Sequence, residues 1–264
     1  MTKIKTVTGF LENIAPLELQ ESYDNSGLLV GDDEKEVTGV LCALDATPDI
    51  IQEAVDKGLN LVIAHHPIIF SGLKKLTGRN YIEKAVLKAI KNDIAIYAIH
   101  TNLDNILNDG VNGKIAQKLG LQSIEILRPH ADNPQLGSGV IGQLVRELPP
   151  NEFLKYLKNS FELSVFKFTD FRPDSNIRTV AACGGSGSFL LQDAIDAGAD
   201  VFITSDWKYH QFFDAENKIT IIDIGHYESE KYTIQLLNDL INNNFRNFAA
   251  HCTERNTNPV NYYF

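Results

Sequence analysis

Leu59-Asn-Leu-Val-Ile-Ala-His65-His66-Pro67 is the stretch whose reading decides the fold. A short run of branched apolar residues after a glycine-containing turn fits a buried strand of a parallel sheet. Pro67 has no N–H to give to a ladder, so the strand must stop there. Open α/β sheets bind their ligands at the carboxyl ends of strands, and this strand ends on two imidazoles. Neighbouring residues on a strand point to opposite faces. His65 and His66 therefore serve one site only if the backbone is already turning, or if each takes a different ion of a close pair. The plain alternative is one core histidine and one surface histidine.

Working outward, the same alternation of elements repeats. Thr6 to Ile14 suits an opening helix closed by Pro16, and Tyr23-Asp-Asn-Ser-Gly27 is a turn leading into a short apolar segment. Val37 to Leu44 reads as a strand. Thr47 and Pro48 make an N-cap and first residue for a helix that runs to Lys57 and stops at Gly58. After the histidine-bearing strand come a helix from Asn80 to Asn92, a strand over Ile94–Ile99 ending on His100-Thr-Asn-Leu-Asp104, and a helix from Gly110 to Leu119. A β-α-β-α-β-α order predicts a parallel sheet with right-handed crossovers. The polar stretch from Arg128 to Gly139 reads as a linker between two halves. A strand over Val140–Leu148 and a helix over Pro150–Phe161 follow.

The second half rebuilds the first. Glu53-Ala-Val-Asp-Lys-Gly-Leu-Asn-Leu-Val-Ile-Ala64 aligns without a gap on Asp193-Ala-Ile-Asp-Ala-Gly-Ala-Asp-Val-Phe-Ile-Thr204. Ile177 to Cys183 reads as a strand, Gly184-Gly-Ser-Gly-Ser188 as a turn, and Phe189 to Ala197 as a helix. Ala95–His100 lies against Thr220–His226, one residue longer, and a carboxylate follows each histidine by four residues: Asp104 after His100, Glu230 after His226. This predicts an internal duplication, two similar α/β halves facing each other across a pseudo-two-fold.

Composition narrows the class of function. The chain has 264 residues, 44% hydrophobic and 22% charged, which is ample for a large core. A net charge of −10 opposes docking on phosphate backbones, so nucleic acid is not the expected partner. Cys42, Cys183 and Cys252 are far apart and form no thiolate metal motif, as expected of reduced thiols in a cytoplasmic protein. No apolar run reaches ~18 residues and the amino terminus lacks a signal-peptide core, so no membrane segment is expected.

His65, His66, His100, Asp104, His210, His226 and Glu230 all stand at or just after expected strand ends, whereas His130 lies in the polar stretch. If a helix starts near His226, then His226 and Glu230 share one face, one turn apart. Imidazole with carboxylate and no thiolate suits Zn, Mn, Fe(II), Co or Ni. So many ligands exceed the needs of one tetrahedral zinc, and shared carboxylates suit two ions about 3.5–4 Å apart that activate a bridging water. The Gly184–Ser188 turn offers N–H groups to a phosphate, a weak signal alone. Trp207 and Tyr209 are read as packing residues, with stacking on a base as the alternative.

Ala64-His65-His66-Pro67, His100-Thr-Asn-Leu-Asp104, Cys183-Gly-Gly-Ser-Gly-Ser188, Thr204-Ser-Asp-Trp-Lys-Tyr-His210 and Gly225-His226-Tyr-Glu-Ser-Glu230 resemble, in order and spacing, the motifs of the NIF3-like family, also named GTP cyclohydrolase I type 2 homologues. The resemblance runs from Tyr23 to the tail Thr257-Asn258-Pro259. It implies an α/β fold of NIF3 type, with two similar lobes related by a pseudo-two-fold and the metal site between them, here 1–128 and 129–264 of one continuous unit. It implies two divalent transition-metal ions per chain on His65, His66, Asp104, His226 and Glu230, with Glu230 and Asp104 bridging, and a toroidal homohexamer. The stretch near Arg128–Gly137 is too short for the extra domain of longer members, and Ser205 stands where many relatives carry glycine. His100 and His210 are candidate catalytic residues, read as supporting the ligands or transferring protons and not as holding the metal; the plain alternative for His100 is a structural hydrogen bond to the Asp104 segment. The expected function is a metal-dependent hydrolase for a small nucleotide-like or phosphate-bearing molecule; the rival is a non-enzymatic, metal-binding, ring-forming regulatory or partner protein. A ring encircling nucleic acid is a third reading, which the acidic charge opposes.

Overall fold

The computed structural model describes residues 1–173 and 175–263. The chain divides into two compact units. One comprises Met1–Leu103 with Thr233–Pro259, the other Asp104–Tyr232 with the last residues from Val260 on. The expected cut between residues 128 and 129 falls inside a strand, Gln122–His130. The first unit also takes back the helix Thr233–Asn244 from the far end of the chain.

In the first unit the strands are β1 (Gly27–Val30), β2 (Val40–Asp45), β3 (Leu61–His66), β4 (Ala95–Ala98) and β11 (Ala250–Cys252), in the sheet order β1-β4-β3-β2-β11. β2, β3, β4 and β11 run parallel; β1 pairs antiparallel with β4 at one edge. The helices are α1 (Ile4–Ile14), α2 (Pro48–Asp56), α3 (Tyr81–Lys91), α4 (Thr101–Asp104), whose last residue opens the second unit, and α9 (Thr233–Asn244). Thr47 caps α2 by accepting from Ile50 N, with Pro48 at the first helical position. Such a cap is worth about 1 kcal/mol. Asn80 caps α3 in the same way, accepting from Glu83 N at 2.8 Å. Ile50, Ile51 and Ala54 of α2 and Ala85, Val86 and Ala89 of α3 bury their stripes with Leu41, Ala43, Val62, Ala64 and Ile96 of the sheet. The alternate residues Val40, Cys42, Leu61 and Ile63 face the other way, and α9 packs against β2, β3 and β11. A sheet covered on both faces explains why β3 reads as an unbroken apolar run.

The second unit holds β5 (Gln122–His130), β6 (Asn133–Leu148), β7 (Lys167–Phe168), β8 (Ile177–Ala182), β9 (Val201–Thr204) and β10 (Thr220–Asp223), in the order β5-β6-β8-β9-β10-β7. Its helices are α5 (Val111–Lys118), α6 (Pro150–Ser160), α7 (Leu191–Asp196) and α8 (His226–Glu230). The stretch expected to be a linker is a hairpin: β5 and β6 pair antiparallel, and β6 continues into the sheet against β8. Its polarity reflects the exposure of β5 along the sheet edge, not a lack of structure. The helix expected over Phe189–Ala197 is split, a 3-10 turn at Ser188–Leu190 preceding α7.

The two sheets share part of their topology. Each has three consecutive parallel strands, β2-β3-β4 in one and β8-β9-β10 in the other, with a short antiparallel strand, β1 or β7, on the last of them. The aligned helix–strand pairs end alike. Gly58 and Gly198 take left-handed φ of +67° and +73°. Leu59 N donates to Ala54 O and Ala199 N to Ala194 O, the same C-terminal cap twice. Beyond the strands, Ile99 N donates to Ala64 O and Ile224 N to Thr204 O. In this register Ser205 takes the place of His65, and Asp206 that of His66.

Candidate metal centre

His65 and His66 close β3, and their rings come together at its end, centroids 4.9 Å apart and tilted by 45°. His100, just past β4, completes a group of three: its ring lies 5.2 Å from His65 and 5.3 Å from His66. One nitrogen from each ring falls within 4.8 Å of the other two. Every Nδ1 is tied to an oxygen. His65 Nδ1 donates to Ile99 O at 2.8 Å, His66 Nδ1 to Asp45 Oδ1 at 2.9 Å, and His100 Nδ1 to Asp24 Oδ1 at 2.8 Å. An imidazole that spends its N–H at Nδ1 keeps the lone pair on Nε2. Partners of this kind orient metal-ligating histidines in general. The donor chemistry of this cluster therefore fits a divalent transition metal.

Asp24 shows how firmly the cluster is held. Its side chain is fully buried, and it accepts from His100, from Thr101 N at 3.0 Å, from Thr101 Oγ1 at 2.5 Å and from Ser26 Oγ at 3.3 Å. Burial alone would raise its pKa, but the bonds from His100 and Thr101 outweigh it and hold the carboxyl well below the usual carboxylate range. Phe70, half exposed, stands edge-on to His100 with centroids 5.6 Å apart.

The second unit gathers acids round one histidine. His226 begins α8 and Glu230 ends it, one turn apart on one face, with His226 Nε2 3.0 Å from Glu230 Oε2. His226 Nδ1 bonds Asp206 Oδ2 at 2.6 Å. Burial works against a charge on this imidazole, yet the two carboxylates push its pKa up to about 11. The two carboxylates thus favour the protonated form of His226. Asp104 lies in the same neighbourhood: burial first, then the charges of Asp104 and Glu230, push the Cys183 thiol far above its ordinary range.

The glycine turn after β8 supports these groups. Gly185, at φ +58°, lies so close to Glu230 that an added Cβ would collide with Oε1. Its N–H donates to Ser229 Oγ, and its carbonyl accepts from Thr204 Oγ1 and Ser205 Oγ. Gly184 N donates to Asn112 Oδ1 and Gly187 N to Thr204 Oγ1. Three N–H groups that a phosphate would need are already committed, so the turn braces Glu230 and does not present an anion cradle. Ser205, expected as a departure, spends its hydroxyl on this brace.

His210 joins neither group. It sits exposed on a 3-10 segment, Tyr209–Ala215, against the rings of Tyr209 and Phe213. Trp207 is buried in the core beside Phe202 and Phe212, as expected, whereas Tyr209 is exposed. Asp24 and Asp45 are the residues that sequence reasoning passed over. Asp24 stands in a segment read only as a turn and Asp45 at a helix start, although Asp45 ends β2 as His66 ends β3 and pairs with it in register.

The profile of the family described as Duf34/NIF3 (NGG1p interacting factor 3) matches residues 2–259. The chain belongs to the DUF34/NIF3 family. Its relatives include a GTP cyclohydrolase 1 type 2 homolog of Clostridium acetobutylicum, 37% identical over 233 residues, covering 86% of this chain and 85% of the relative. One from Clostridium perfringens is 35% identical over 231 residues, covering 86% and 87%. Among solved structures, a hypothetical protein of Staphylococcus aureus superposes with a TM-score of 0.91 at 30% identity over 99% of both chains. A Bacillus cereus protein related to NIF3 gives 0.90 at 26% identity, also over 99% of both. The NIF3 fold expected from the motifs is thus the fold of this chain. Among the described residues no helix is long and apolar enough to cross a membrane.

Proposed function

We propose that this protein holds two divalent transition-metal ions on His65, His66, Asp104, His226 and Glu230 and uses them to hydrolyse a small nucleotide-like or phosphate-bearing molecule. The observation that carries the reading is the common anchoring of His65, His66 and His100, each with Nδ1 bonded to an oxygen and one ring nitrogen within 4.8 Å of the other two. A metal pair in such surroundings activates water and polarises the bond to be cut. The chain's own residues supply the rest. Asp45 and Asp206 orient His66 and His226, and the Gly184–Gly185 turn holds Glu230 in place. His100, braced by Asp24, is the group placed to carry a proton; exposed His210 is a weaker candidate for the same work.

The relatives' name, GTP cyclohydrolase 1 type 2 homolog, supports a nucleotide among the first substrates to try. A ring-shaped homohexamer in the cytoplasm belongs to the same proposal, and sedimentation would measure its size. The test of function is a screen of purified protein loaded with Mn, Zn or Fe against nucleotides and phosphodiesters. Turnover that disappears in Asp104→Asn supports the hydrolase. No turnover with any of the three metals, in protein shown to contain them, overturns it in favour of a metal-binding regulatory protein.

A further inference from the structure

The tail of the first unit, from β11 to Pro259, is fastened near its start and again further on. Near its start, Thr253 Oγ1 donates to Glu53 Oε2 at 2.5 Å, Glu254 N donates to Glu53 Oε1 at 3.0 Å, and Lys57 Nζ lies 2.9 Å from both carboxylates. Glu53 sits on α2, so this first clasp already holds the tail to the body of the unit. Further on, Thr257 Oγ1 donates to Asp45 Oδ2 at 2.5 Å. The other oxygen of that same carboxylate, Oδ1, accepts from His66 Nδ1 at 2.9 Å. Asp45 and His66 are register partners across β2 and β3, so the backbone sets the spacing between them.

A carboxylate bonded through one oxygen can swing about its Cβ–Cγ bond. Bonded through both, it has one orientation, and the imidazole it holds has one orientation too. Outer partners of ligating histidines fix ring direction and raise ligand basicity. The first clasp holds the tail independently of Thr257, whose hydroxyl is spent on Asp45.

We propose that Thr257 is a positioning residue for the metal ligand His66, acting through Asp45, so that the carboxy-terminal tail is part of the metal centre. This rests on the metal reading of the preceding section. Linkage adds a second consequence. If the tail favours the metal, the metal must favour the ordered tail by the same factor.

The experiment measures Zn²⁺ affinity by competition with a chromophoric chelator, and the visible spectrum of the Co²⁺-loaded protein, for wild type, Thr257→Val, Thr257→Ser and Glu53→Gln. Limited proteolysis of the tail with and without Zn²⁺ accompanies it. We expect Thr257→Val to weaken Zn²⁺ binding by about 10-fold and to alter the Co²⁺ spectrum, the range typical of lost outer partners. Thr257→Ser should restore both, Glu53→Gln should lose less than Thr257→Val, and Zn²⁺ should slow cleavage of the wild-type tail. Should Thr257→Val fail to fold, Asp45→Asn replaces it, with the same loss of affinity expected. Wild-type affinity and spectrum in the valine variant overturn the proposal. So does equal loss in the serine variant, or equal loss in Glu53→Gln, which would make tail order alone responsible. Wild-type protein that takes up no metal is a different result: it defeats the metal reading itself.

Discussion

Gly185 lies directly against Glu230, with a left-handed backbone and no room for a side chain between them. The glycine is thus a spacer that lets α8 bring its carboxylate down onto the turn after β8. Gly185→Ala meets two penalties at once. An alanine at positive φ costs about 1–2 kcal/mol, and its methyl group pushes Glu230 and His226 away. We expect a lower Tm together with weakened metal uptake, measured on the same preparation. Unchanged metal content in a folded Gly185→Ala protein would show that Glu230 is not a ligand.

Asp24 is the buried anchor of His100 and Thr101. Asp24→Asn removes the charge and turns one acceptor into a donor that faces donors. The expected loss is about 1–3 kcal/mol of unfolding free energy in urea at neutral pH, the usual cost of unsatisfied buried polar groups. A change below about 0.5 kcal/mol, the level of an ordinary surface substitution, would contradict the role given to it.

Glu53 makes the tail sensitive to acid. Burial would raise its carboxyl, but the bonds from Thr253, Glu254 N and Lys57 win and hold it below its ordinary value of 4.5. A group depressed on folding contributes stability above its unfolded pKa and loses it as pH falls through the lower folded value. Amide-exchange protection at Glu254 should therefore be high at pH 7 and fall in the acid range below 4.5. Glu53→Gln should show the low protection already at pH 7. Protection that persists unchanged in that variant would dissociate the tail from Glu53.

Much of this architecture could be read from the chain because its signals are local. Thr47-Pro48 and Gly58 bound α2 by capping chemistry, Pro67 ends β3, and the four-residue step from His226 to Glu230 places them on one helical face. The duplicated Glu53–Ala64 and Asp193–Thr204 segments gave away the matching sheets. What stayed hidden depends on contacts distant in sequence. β5 is polar because it lies at an edge, β7 has two residues and β11 three, so none carries a periodic pattern. Asp24 looks like a turn residue and Asp45 like part of a helix start until the fold brings His100 and His66 to them, 76 and 21 positions away. The Gly184–Ser188 turn resembles a phosphate cradle in sequence; only its bonds to Asn112, Ser229 and Thr204 reveal a brace.

Every role proposed for these residues depends on this chain binding a pair of transition metals through histidine and carboxylate side chains. Elemental analysis of protein purified without chelator, and again after incubation with Mn, Zn or Fe and gel filtration, tests it most directly. About two ions per chain are expected, with His66→Ala and Glu230→Ala each reducing the content. A wild-type chain that retains no transition metal under any of these conditions would contradict it.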